Sequence, residues 1–315
     1  MSVVAPTVAG WNNTMAAELP RVLLTGARGQ LGFELQRALA VLGEVRALDH
    51  RQCDLADEAA VAATVAAYRP HLIVNAAAWT AVDRAESQPE AAFAANANGP
   101  AALARAAQHC GALLLHYSSD YVFDGSKATP YLEEDLPAPL SVYGQSKLAG
   151  ERAVAEGCSR HLILRTSWVF GAYGANFLKT VLRLARERPH LSMVADQIGA
   201  PTSAALIADS SAQILGQYLR AGQTGDFPFG LYQLTASGAT SWCEYAQFVV
   251  EQAGRLGMPL SLGAADILPI PASAYPLPAA RPANSRLDTH KLCTQFGLVL
   301  PPWQDGVMHA LHLLA

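Results

Sequence analysis

The stretch Val22-Leu23-Leu24-Thr25-Gly26-Ala27-Arg28-Gly29-Gln30-Leu31-Gly32 decides how the rest of the chain is read. Residues 22–24 form a short apolar run of strand type. Leu31, Leu35 and Leu39 then recur at the spacing of one helix face, with Glu34, Gln36 and Arg37 on the others. Gly26, Gly29 and Gly32 stand at the junction. A strand-to-helix turn needs glycine for the turn itself, for close approach of backbone to a pyrophosphate, and for close helix packing on the sheet. The helix N-terminus then presents free N–H groups and a favourable dipole to the phosphates. Three glycines alone could merely close a turn; set after a strand and before an amphipathic helix, they point to a bound dinucleotide.

Beyond this unit, short apolar runs at 45–48, 72–75, 113–117 and 162–166 alternate with Ala-rich helical stretches near 57–68, 89–109 and 145–156. That alternation predicts an α/β fold with a Rossmann-type, doubly wound parallel sheet. Residues 1–20 carry no Lys or Arg, which is unlike a signal peptide, and read as a disordered extension. Residues 21–167 read as an NAD(P)-binding domain, and 168–315 as a smaller, less regular and mainly substrate-binding domain, some of whose segments return to the first. The proline-rich segment 263–282 is expected to be a long surface loop or lid.

The second predicted strand ends at Asp49, 17 residues after Gly32, where an acidic side chain would meet the adenosine ribose 2′-OH and favour NADH. Arg51 follows, and a guanidinium there would take a 2′-phosphate, so NADPH stays equally open. Asp54 and Leu55 come next. Asn75-Ala76-Ala77-Ala78 closes the third strand, where Ala76, Ala77 and Ala78 would let a cofactor lie against the backbone, although small side chains also serve simple tight packing. Gly26, Gly29, Gln30, Leu31 and Gly32 complete the candidate cofactor set, with Tyr143 and Lys147.

Tyr143 and Lys147 lie four residues apart, about 6 Å along one face if a helix begins there. An ammonium so placed is expected to lower the phenol towards the working range of a general acid or base. Ser119, at the end of the fourth predicted strand, can offer a hydroxyl to a reacting carbonyl, because ligands of parallel sheets bind beyond the strands' carboxyl ends. The glycine turn, Ser119, Tyr143 and Lys147, in that chain order, describe a hydride-transfer site.

Composition narrows the class. A net charge of −4 with 22 scattered Lys and Arg argues against nucleic-acid or anionic-membrane partners. No apolar run is long enough for a membrane span although 51% of the residues are hydrophobic. Five cysteines without a C-x-x-C pair read as thiols in a reducing cytoplasm. Asp305, His309 and His312 could share a helix face, but the favoured reading gives them no metal.

The chain resembles the dTDP-4-dehydrorhamnose reductase family over about residues 21–312. The resemblance is carried by the glycine turn, Asn75 to Ala78 with Thr80 to Glu86, Asp120-Tyr121-Val122-Phe123-Asp124-Gly125, Tyr143 to Glu151, Arg165 to Phe170, Gly199 to Thr202 and Arg281 to Ser285. It implies an extended short-chain dehydrogenase that reduces the C4 keto group of a dTDP-sugar, in dTDP-rhamnose and surface polysaccharide synthesis. In it Tyr143 donates the proton, Lys147 tunes the tyrosine and holds the nicotinamide ribose, and Ser119 stands where the family commonly has threonine. Asp120, Gln145 or Ser146, and Trp168 match substrate-contacting positions in similar enzymes. The resemblance also implies a homodimer, in some members bridged by magnesium through a glutamate; here that position is Ala205. Two other readings remain: a sugar-nucleotide dehydratase or epimerase, disfavoured because Tyr121 rather than a second acid follows Asp120, and a non-catalytic regulatory subunit, which need not keep Tyr143 and Lys147.

Overall fold

The computed structural model describes residues 19–222 and 226–315; most of the predicted N-terminal extension, 1–18, lies outside them. Six parallel strands form the central sheet, in the order Gly230–Gln233, β5 (His161–Thr166), β4 (Leu113–Ser119), β3 (Leu72–Asn75), β1 (Arg21–Thr25) and β2 (Glu44–Leu48). All five predicted strands are present. The sixth, Gly230–Gln233, comes from far down the chain and pairs in parallel with β5.

Alternate residues of each strand serve opposite faces, as the two-residue period requires. Val22, Leu24, Leu72 and Val74 pack with Leu35 and Leu39 of α1 (Gln30–Leu39) and with Ile207 and Ile214 of the helix Ala204–Arg220. Leu23, Ile73, Leu114 and Ile163 pack on the other face with Val61 and Val65 of the helix Glu58–Tyr68, Leu103 of Gly99–Cys110 and Val154 of Val142–Gly157. Near-continuous apolar strands are what burial on both faces demands. The chain builds β2 outward from β1 and then crosses back to β3, so the sheet's switch point lies between β1 and β3, with the crevice at their carboxyl ends.

Two expectations are corrected. The stretch 89–109 is not one helix: a π-helical turn, Ala94–Asn98, interrupts it between Pro89–Phe93 and Gly99–Cys110. A π turn of this kind redirects side chains, and here it aims Asn96 into the interior. Nor is 263–282 a free loop, because Ile267–Ile270 pairs in parallel with Leu191–Val194. The end of that segment is tied to the first half by Arg281, whose guanidinium makes two hydrogen bonds to Asp83, at 3.1 and 2.9 Å. A separate apolar cluster, with Val181, Val249, Trp303 and Val307, holds the helices Phe177–Glu187, Trp242–Arg255 and Trp303–Leu314 together. Among the described residues no helix is long and apolar enough to cross a membrane.

Candidate active site

The glycine turn is shaped by contacts that no side chain could share. Gly26 has φ +77°, and a Cβ on it would stand 2.5 Å from the Ala77 nitrogen; one on Gly32 would stand 2.0 Å from the Gly26 carbonyl oxygen. Gly29 is the N-cap of α1 and no side chain caps it, so the first N–H groups of that helix face the crevice. Thr25 and Asn75, partners across β1 and β3, brace the floor. The Thr25 hydroxyl donates to Asn75 Oδ1 (2.7 Å), which also accepts from the Ala77 N–H (3.2 Å).

Two connected hollows open at the switch point. One, of about 430 Å³, is lined by Gly26, Asp49, Asp54, Leu55 and Ala76 to Ala78. The other, of about 650 Å³, is lined by Gln30, Leu31, Ser119, Asp120, Tyr143, Lys147 and Trp168; Arg28, Gly29, Ala76 and Ala78 border both. Gly32 lies beneath, packed on Gly26. Nearly all the residues singled out from sequence therefore line these two adjoining hollows.

Two do not. Arg51 is exposed and lines neither hollow; the cation beside Asp49 in the smaller hollow is Arg28, whose Nε lies 2.8 Å from Asp49 Oδ2. Burial works to raise the Asp49 carboxyl, but the backbone N–H groups of Arg51 and Gln52 and the Arg28 guanidinium outweigh it and hold the group below its usual range. Ser146 is fully buried on the inner side of its helix, donating to the Tyr143 carbonyl (2.7 Å) and accepting from Asn96 Nδ2 (3.0 Å). It braces the helix rather than facing a substrate.

The helix Val142–Gly157 begins at Ser141, whose hydroxyl accepts from the Gly144 N–H. Gly144 and Gly150 let it press onto its neighbours, since a Cβ there would meet the carbonyl oxygens of Tyr121 and Asn96 at 2.1 and 2.0 Å. This contact brings Tyr143 to the Ser119 hydroxyl, which hydrogen-bonds it, and Lys147 Nζ to the Tyr117 carbonyl at 2.6 Å. The expected lowering of the tyrosine is not found. Burial pushes Tyr143 up to about 12, against its hydrogen bond with Ser119, and Lys147 is itself pushed down to about 8 by burial, opposed by Glu151. Desolvation, with the nearby Asp120 charge acting in the same direction, outweighs the Ser119 hydrogen bond and keeps Tyr143 protonated, the form a proton donor needs. Asp120, also buried, is raised to about 6.

Of the far wall, sequence singles out Trp168 alone. Trp168 holds φ +48°, rare for a bulky residue, and its ring stacks on Trp242 at 3.5 Å; Gly199 gives it room, since a Cβ there would lie 2.5 Å from the indole. Strained backbone of this kind persists where packing over-determines it and clusters at ligand-binding sites. Phe177 and Tyr245 complete this wall with Trp242. Among the described residues no three His, Cys, Asp or Glu form a group able to hold a metal, and Ala205 lies in the first turn of its helix.

The model of the RmlD substrate binding domain family matches residues 20–315, nearly the whole chain. A dTDP-4-dehydrorhamnose reductase of Escherichia coli (strain K12) is 50% identical over 297 residues, which cover 93% of this chain and 97% of that protein. The chain belongs to the dTDP-4-dehydrorhamnose reductase family. The reductase of Burkholderia thailandensis is 47% identical over 287 residues, covering 91% of this chain and 96% of the relative. A crystal structure of the Bacillus anthracis dTDP-4-dehydrorhamnose reductase in complex with NADP superposes with a TM-score of 0.83 at 35% identity, over 93% of this chain and 99% of that one. The expected family, fold class and oxidoreductase class are borne out.

Proposed function

We propose that this chain reduces the C4 keto group of dTDP-4-dehydro-L-rhamnose to dTDP-L-rhamnose, with NADPH or NADH as reductant. The observation that carries the reading is the meeting of Gly29, Ser119, Tyr143 and Lys147 in one cleft, in a chain half identical to the Escherichia coli reductase. The residues present fit a dinucleotide: the backbone at Gly26 and Ala76 to Ala78 is bare of bulky side chains, and the uncapped start of α1 offers N–H groups to a pyrophosphate. When bound, the reduced nicotinamide supplies the hydride.

The chain's own residues do the rest. Tyr143, kept protonated by burial, gives its proton to the carbonyl oxygen as charge develops there, and the Ser119 hydroxyl donates a hydrogen bond to the same oxygen. Lys147 spends one N–H on the Tyr117 carbonyl and has two more for ribose hydroxyls. Asp54 and Leu55 border the adenosine end, while the stacked Trp168 and Trp242 face the sugar nucleotide from the side built by residues 168–315 and Asp120 faces it from the end of β4. Arg28 beside Asp49 provides a cation for a 2′-phosphate, and the NADP complex of the Bacillus anthracis relative supports NADPH. Five free thiols suit a reducing cytoplasm.

The test is the near-ultraviolet absorbance of NADPH, and separately NADH, on mixing purified protein with dTDP-4-dehydro-L-rhamnose. Loss of reduced cofactor is expected. A folded protein that binds the cofactor yet consumes none overturns the reading.

A further inference from the structure

Behind Lys147, outside the cleft, lies a buried ion pair that the reaction as described does not use. Arg165 on β5 donates from Nε to Glu151 Oε1 (2.8 Å) and from Nη2 to Oε2 (2.7 Å), with the two side chains only 3% and 6% exposed. Glu151 stands four residues after Lys147 on the same helix, the spacing at which a carboxylate and an ammonium meet directly. The pairing with Lys147 is not made: Lys147 instead reaches the Tyr117 carbonyl. Phe123 lies under the guanidinium, 4.9 Å from ring centre to Cζ, and holds it flat against its partner.

We infer that Arg165 is a positioning residue for Lys147: by occupying both oxygens of Glu151 it keeps that carboxylate from capturing the ammonium, which stays aimed at the cleft. The fork matters because only guanidinium can engage both carboxylate oxygens at once. The titratable and charged groups facing Lys147 are Tyr143 and Glu151 on its own helix, His116 on β4 and, through Glu151, Arg165 on β5; Asp120 lies beyond Ser119. His116 is held neutral by burial and by Lys147 itself. Its Nδ1 accepts from Asn75 Nδ2 (3.0 Å), so it supplies no charge to compete. Glu151 is thus the anion whose freedom decides where the ammonium sits, and with Arg165 removed its full charge acts on Lys147 and raises its pKa.

The role of Lys147 in turnover rests on the reductase reading, but its titration does not, so the two can fail separately. Lys127, Lys147, Lys179 and Lys291 are few enough to resolve by NMR after labelling the lysine ε-carbons, with Lys147→Met giving the assignment. In the wild type Lys147 is expected to titrate near 8. In Arg165→Met the midpoint moves up by about one unit, as an unscreened carboxylate requires, and kcat falls roughly tenfold for a misplaced ammonium. In Arg165→Met/Glu151→Met, which removes both charges, the midpoint returns downward and most of the kcat is recovered. Arg165→Lys keeps the charge without the fork and shifts the midpoint in the same direction by less, so the test stands even where Arg165→Met does not fold. A Lys147 midpoint unmoved in Arg165→Lys and Arg165→Met, or a double variant no better than Arg165→Met, overturns the inference and leaves the ion pair a structural brace.

Discussion

The two walls of the cleft are built on opposite principles. The dinucleotide wall is made largely of absent side chains: Gly26 and Gly32 leave no room even for a methyl group, and Ala76 to Ala78 leave the backbone bare. The wall proposed to face the sugar is made of large aromatic side chains, Trp168, Phe177, Trp242 and Tyr245, from distant parts of the chain. One wall is specified by local backbone geometry and the other by tertiary packing. They should therefore fail differently, the first through cofactor affinity and the second through the Michaelis constant for the sugar.

Tyr143→Phe separates chemistry from both walls. It removes one hydroxyl, the proton donor, and leaves the bare backbone of the dinucleotide wall as it is, so kcat should fall by about 10²–10⁴ while NADPH affinity, read by fluorescence quenching, stays within a factor of a few. Gly32→Ala breaks the first wall. Its Cβ would lie 2.0 Å from the Gly26 carbonyl oxygen, so the turn must shift. A strain of about 1–3 kcal/mol predicts a loss of roughly 10- to 100-fold in cofactor binding by calorimetry, and an unchanged dissociation constant would refute the account of that wall.

Asp120 stands where the walls meet, and its burial gives a pH signature. Its pKa is raised in the folded state, so the native protein binds an extra proton between about 4 and 6. The cost of the buried charge is full above pH 6 and disappears as pH falls through that window. Asp120→Asn is expected to raise stability towards urea by about 3 kcal/mol at pH 8 and by almost nothing at pH 4; equal effects at both would show that the carboxyl is not held near 6. Trp242→Ala removes the stacking partner of Trp168 and should raise the sugar KM roughly tenfold with kcat little changed, because an aromatic pair contributes about 0.5–1.5 kcal/mol beyond its buried area. The smallest effect is expected at Arg28→Ala. The guanidinium is 68% exposed, so its loss should lower the preference for NADPH over NADH only a few-fold, as an exposed ion pair worth about 0–1 kcal/mol implies.

The same contrast explains what sequence could reveal. The strands, α1 and the glycine turn were legible because each is encoded by neighbours in the chain, in a fixed order. Tyr143 and Lys147 were legible because one helix turn places them together. The resemblance left Gln145 and Ser146 as alternatives, and a matched position does not say which way a hydroxyl faces; the π turn that brings Asn96 to Ser146 has no period to read. Arg51 misled in favour of Arg28 because both flank Asp49 in space, one from the following loop and the other from the glycine turn. Trp242 lies 74 residues beyond Trp168 and carries no motif; only packing of the second half brings the rings together. The sign of the Tyr143 shift depends on burial, which residue spacing does not carry.

The central claim is that hydride delivered from the dinucleotide wall meets a sugar C4 carbonyl protonated by Tyr143. The most direct test uses NADPH deuterated at the transferring nicotinamide position, with the product read by NMR and mass spectrometry. The account predicts one deuterium, at C4 of the dTDP-sugar, formed by wild type and nearly abolished in Tyr143→Phe. Deuterium at another carbon, or undiminished transfer in Tyr143→Phe, would contradict it.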